Sequence, residues 1–155
     1  PLQNLYTLPG IEIIAKEVQD VEPSFFERIE SGDVLFIDSS HSLRLDGDVP
    51  YLYLEVLPAI SKGAYIHIHD IPYPFNFPYP PKLWIFEKRE PMFWTEAMVL
   101  QAFLAFNKEF QILLSLPLIR HADEPFLAER IPIYETVEQN SNAFSSVWLR
   151  REEVI

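Results

Sequence analysis

The chain has 155 residues, 48% of them hydrophobic, and a formal net charge of −11. It therefore has enough apolar material for one buried core and too much negative charge to favour a nucleic-acid partner. It contains no cysteine, which excludes disulfides, thiolate metal sites and cysteine nucleophiles and fits the cytoplasm. No apolar run approaches the roughly 20 residues of a membrane span, and the first residues lack the pattern of a secretory signal.

In chain order, Ile11 to Lys16 reads as a short strand. Pro23, followed by Phe25, Phe26 and Ile29, opens an amphipathic helix that ends near Gly32. Residues 33–38, Asp-Val-Leu-Phe-Ile-Asp, form an apolar strand that stops on an acid. Asp46-Gly47-Asp48 is a turn and capping sequence, and Leu52, Val56 and Ile60 repeat at helical spacing behind it. Residues 63–69 form a second apolar strand, which leads through His67 and His69 to Asp70.

Five prolines between Ile71 and Pro81 forbid helix and central strand alike, so this segment is a loop. Its Tyr73, Phe75, Phe77 and Tyr79 form either an aromatic wall over the strand ends or a locally packed loop. Trp94 to Asn107 is a helix with one stripe of Trp94, Met98, Gln101 and Ala105 and another of Val99, Phe103 and Phe106, a pattern that predicts burial on more than one side. Phe110 to Leu116 and Phe144 to Arg150 read as the last two strands.

Strand, helix, strand implies a parallel pair joined by a right-handed crossover, and ligands of open α/β sheets bind beyond the carboxyl ends of such strands. Asp38, His41, His69 and Asp70 are therefore expected to share one crevice. Nucleotide-type cofactors on such sheets need a glycine-rich turn after the first strand. The chain has four glycines, Gly10, Gly32, Gly47 and Gly63, and no two of them form such a turn.

With these residues placed, the chain resembles the class I S-adenosylmethionine-dependent methyltransferases of the bacterial small-molecule branch. The likeness rests on residues 35–41 (Leu-Phe-Ile-Asp-Ser-Ser-His), 66–71 (Ile-His-Ile-His-Asp-Ile), 94–97 (Trp-Thr-Glu-Ala) and 100–105 (Leu-Gln-Ala-Phe-Leu-Ala). It implies an α/β fold, a Rossmann-like sheet of strand order 3-2-1-4-5-7-6 with helices on both faces and an antiparallel last strand. Ile11–Lys16 would be strand three, 33–38 strand four and 63–69 strand five. Strands one and two would then be missing, so residues 1–155 would form a partial methyltransferase domain from strand three onward.

The same resemblance assigns cofactor contacts to Asp20 and Val21 on the adenine side and to Asp38 and Ser39 on the methionine side. It also makes Asp38 and Asp70 candidate ligands for Mg²⁺ or another divalent metal, and His41 the candidate base. His69 stands where an oxygen ligand is usual, which weakens magnesium in favour of softer ions. The implied activity is O-methylation of a small hydroxylated acceptor. With strands one and two missing, strand four would present an exposed sheet edge, which predicts self-association into a homo-oligomer.

Other readings compete with each role. Asp38 would cap a turn, His41 would bond the Asp46–Asp48 turn, and His67 would be a satisfied core histidine. The alternative for the whole chain is a non-catalytic interaction module derived from a truncated methyltransferase fold. A metal-dependent hydrolase ranks last, because no histidine pair has helical ligand spacing.

Overall fold

The computed structural model describes residues 9–77, 94–138 and 144–153. Its centre is a four-stranded sheet of order β1-β2-β4-β3, built from β1 (Val34–Ile37), β2 (Tyr65–His69), β3 (Phe110–Ser115) and β4 (Ser146–Arg151). β1 and β2 are parallel, whereas β4 lies antiparallel between β2 and β3. The class is α/β with a mixed sheet, and both apolar runs that stop on an acid form the expected parallel pair. A register shift between Ile112 and Leu114 interrupts the β3–β4 ladder.

The connection from β1 to β2 is one helical stretch over residues 48–59, and it changes register midway. Asp48–Tyr51 is α, Leu52–Val56 is π and Leu57–Ala59 is α again. Pro58 has no N–H to return to Leu54, and the turn ahead of it widens so that the Leu57 amide closes on the Leu52 carbonyl. At its start, the Asp48 carboxylate accepts from the Ser40 amide and hydroxyl, both at 2.6 Å, and from the Val49 amide at 2.9 Å. Burial pushes the Asp48 carboxyl up, but the bonds from Ser40 and Val49 outweigh it and hold its pKa below the usual range.

The core lies on one face of the sheet. Ile37, Ile66, Ile68, Val147 and Leu149 are buried there against Leu52, Val56 and Leu57 of the crossover helix and Leu100 of the helix Glu96–Leu104. The other face carries Phe36, His67 and Trp148 in one row across three strands, and Phe36 is 54% exposed. Helices on both faces are therefore not seen among the described residues. His67 is correspondingly not a core histidine but a half-buried ring stacked on Trp148, with centroids 4.2 Å apart.

Three other expectations change. Ile11 to Lys16 forms no strand, because no neighbouring strand takes up its backbone groups and Ile11 and Ile14 are exposed. Pro23–Arg28 is a 3₁₀ helix, shorter than expected. The helix expected over Trp94 to Asn107 spans Glu96–Leu104 and is buried on one side only, through Glu96, Ala97 and Leu100; Met98 faces solvent, as does Phe106 beyond its end.

Of the proline-rich loop, residues 71–77 are described and 78–81 lie outside the described residues. Tyr73 packs on the core and Phe75 meets the ring of His121, so neither is placed as a wall of the crevice. Among the described residues, no helix is long and apolar enough to cross a membrane.

Candidate active site

β1 and β2 end side by side, and the chain turns sharply after each. His41 and Asp70 both take the left-handed backbone conformation, with φ of 57° and 51°, which is unfavourable by about 1–2 kcal/mol for a residue with a Cβ. These turns bring Asp38, His41 and Asp70 together, with one potential ligand atom from each within 4.8 Å of the others. His41 Nε2 lies 3.7 Å from Asp38 Oδ1 and 3.9 Å from Asp70 Oδ2. From the solvent side, His69 Nδ1 stands 3.5 Å from each carboxylate. All four residues read from the strand ends thus meet in one crevice.

The opposite edge of the His41 ring meets a residue not assigned from the sequence. Glu96 is fully buried, and its Oε2 lies 2.8 Å from His41 Nδ1 and accepts from the Ser39 hydroxyl at 2.6 Å. Its amide also donates to the His41 carbonyl at 3.1 Å, which latches the start of the helix onto the loop after β1. The Trp94 ring covers the imidazole at 4.8 Å. A carboxylate one turn before buried Leu100, in a helix otherwise rich in apolar residues, is the signal in the sequence that could have exposed it.

Burial pushes the His41 imidazole toward the neutral form. The hydrogen bond and charge of Glu96, joined by Asp70 and Asp38, outweigh that and raise its pKa above the ordinary 6.5. His41 is thus a stronger base than free histidine rather than an unperturbed one. Burial in turn holds the Tyr53 hydroxyl well above its usual range, helped by the adjacent Glu96 charge.

On the other side of Asp38 lies a pocket of about 210 Å³, lined by Val18, Leu35, Asp38, Ser39, Asp48 and Leu52 among others. It is smaller than the roughly 300–1,000 Å³ of pockets that enclose a drug-sized ligand. Asp38 and Ser39 are among its lining residues. Asp20 sits exposed in the turn Val18–Asp20, and the Val21 carbonyl accepts from the Tyr51 hydroxyl; from this turn, Val18 lines the pocket.

The converging donors do not match the oxygen cage that magnesium prefers, because imidazole nitrogens stand beside both carboxylates. No protein-family model, curated protein or solved structure matches this chain.

Proposed function

We propose that this chain acts in S-adenosylmethionine-dependent methyl transfer to a hydroxyl of a small acceptor. The observation that carries the reading is the strand order. A parallel pair followed by an antiparallel last strand inserted before the penultimate one reproduces the 4-5-7-6 portion of the order the resemblance implies. Support also comes from Asp38, which borders both the small pocket and the acid–histidine crevice and so links a cofactor side to an acceptor side.

S-adenosylmethionine, when bound, supplies a methyl group on a sulfonium. The chain's own residues then have two tasks. Asp38 and Ser39 orient the methionine portion, while His41 Nε2 takes the proton of an acceptor hydroxyl placed between Asp38 and Asp70. A divalent cation held there would have Asp38 and Asp70 as oxygen ligands, and the neighbouring imidazoles favour zinc, iron or a similar ion over magnesium.

The test is calorimetric titration of S-adenosylhomocysteine into the chain and its Asp38→Ala variant. Weak, saturable binding that the substitution abolishes supports the reading. A folded chain that gives no heat, or binds regardless of Asp38, overturns it in favour of an interaction module. The feature that favours that second reading is the partly exposed sheet face around Val34 and Phe36, at the strand that pairs only with β2 among the described residues.

A further inference from the structure

We propose that Glu96 is the positioning residue of this site: its buried carboxylate keeps the neutral His41 ring protonated on Nδ1, so that Nε2 offers its lone pair to the crevice between Asp38 and Asp70. The inference deepens the methyltransferase reading and rests on it only for the identity of the group that His41 deprotonates.

An ionised carboxylate only accepts, so the two groups that reach Oε2 must both donate. The Ser39 hydroxyl does so at 2.6 Å and the His41 ring at 2.8 Å, lengths typical of bonds to a charged oxygen. A neutral imidazole has one N–H, and here it is committed to Nδ1. Nε2 is then an acceptor by elimination.

The surroundings fix the direction of that lone pair. Nε2 stands 3.7 and 3.9 Å from the nearest oxygens of Asp38 and Asp70, beyond hydrogen-bond reach, so neither carboxylate occupies it. Rotation of the ring is opposed on one side by Trp94, and the bond from the Glu96 amide to the His41 carbonyl fixes the backbone that carries it. Glu96 thus constrains both the backbone and the ring of the same residue.

Charge makes the arrangement productive. Glu96 is fully buried, and the described residues bring no lysine or arginine to it; His41 is its ionic partner. When Nε2 takes a proton, the imidazolium forms against a carboxylate already in place, with little reorganisation. The division of labour is that of the acid and imidazole in a hydrolase triad, where the acid orients the ring without itself receiving the proton.

The experiment is a long-range proton–nitrogen correlation spectrum of the nitrogen-15-labelled chain, recorded as His41 passes into its neutral form. The expected result is a protonated Nδ1 and a bare Nε2. Ser39→Ala should preserve that tautomer, because the Glu96 bond to the ring survives. Glu96→Ala should move the proton to Nε2, the tautomer that free histidine prefers.

A wild-type ring protonated on Nε2 overturns the proposal without any variant, as does an unchanged tautomer in a folded Glu96→Ala protein. S-adenosylhomocysteine titration of the same samples separates the two readings. Loss of the expected tautomer with binding intact sinks the role of Glu96 alone. The expected tautomer without binding by the wild type sinks the methyltransferase reading alone.

Discussion

Glu96 and Glu124 both occupy the first position of a helix, and each accepts two hydrogen bonds, yet their surroundings serve different ends. Glu124 receives the Tyr134 hydroxyl and the Val137 amide, both at 2.7 Å, and faces the Arg120 guanidinium at 3.6 Å. Burial pushes its carboxyl up, but the bonds from Tyr134 and Val137 and the charge of Arg120 pull it below the ordinary value. Arginine, phenol and amide all keep their protons near neutral pH, so this cluster ties the helix Glu124–Arg130 to the segment after it. Glu96 instead answers to Ser39 and His41, and one of those partners changes charge in the physiological range. An acid whose partners cannot titrate serves structure, whereas an acid behind an imidazole that opens on a crevice is arranged for proton transfer.

The largest expected effect lies at His41. His41→Gln keeps a donor within reach of Glu96 but removes the imidazole base. For the proposed methyl transfer it should lower kcat by roughly 10²–10⁴-fold with cofactor affinity nearly unchanged. A near-normal kcat from the variant would remove His41 from the chemistry and erase the contrast with Glu124.

What the sequence made legible here was local. The acids and histidines at the ends of two apolar runs could be placed together because strand ends and crossover chirality follow from short-range pattern. The crossover helix was legible for the same reason, through Leu52, Val56 and Ile60. Its π turn was not, since that depends on how the chain accommodates Pro58. Ile11 to Lys16 has a strand's residues without a partner, and pairing is not a property of the segment itself. Glu96 is 55 residues from His41, so its role becomes visible only when the helix is docked. The one-sided burial of that helix was hidden because apolar residues such as Met98 and Phe106 can be exposed without breaking any pattern.

The second effect concerns stability at the other cluster. Arg120 is buried, and its guanidinium lies 5.6 Å from the Tyr134 ring centroid and 5.9 Å from that of Phe144 as well as facing Glu124. Removing one partner of a fully buried pair costs roughly 3–5 kcal/mol, and the partial exposure of Glu124 places Arg120→Met nearer about 2–3 kcal/mol. At roughly 2–4 °C per kcal/mol for a chain of this size, calorimetry should show Tm lower by about 4–12 °C. The tautomer of His41 should not move. A shift at His41 would mean that the two clusters are coupled.

The smallest effect tests whether the Glu124 cluster is silent near neutral pH. Burial, then the hydrogen bond to Glu124, raises the Tyr134 phenol from 10.0 to about 12. A folded-state pKa above the unfolded value means that the folded chain holds its proton more tightly, so this contribution is fully present below pH 10 and is lost as pH rises through about 12. Tyr134→Phe removes one hydrogen bond, worth about 1 kcal/mol, and should lower Tm by roughly 2–4 °C at neutral pH. The gap between variant and wild type should stay constant from neutral pH to the onset of phenol ionisation and then close. On the acid side, the depressed carboxyls of Asp48 and Glu124 have the opposite sign. Their contributions are present above the ordinary values of 3.8 and 4.5 and fade as pH falls below them. A gap that instead changes between pH values where only histidine titrates would place a proton-sensitive partner in the Glu124 cluster and remove the distinction drawn between the two glutamates.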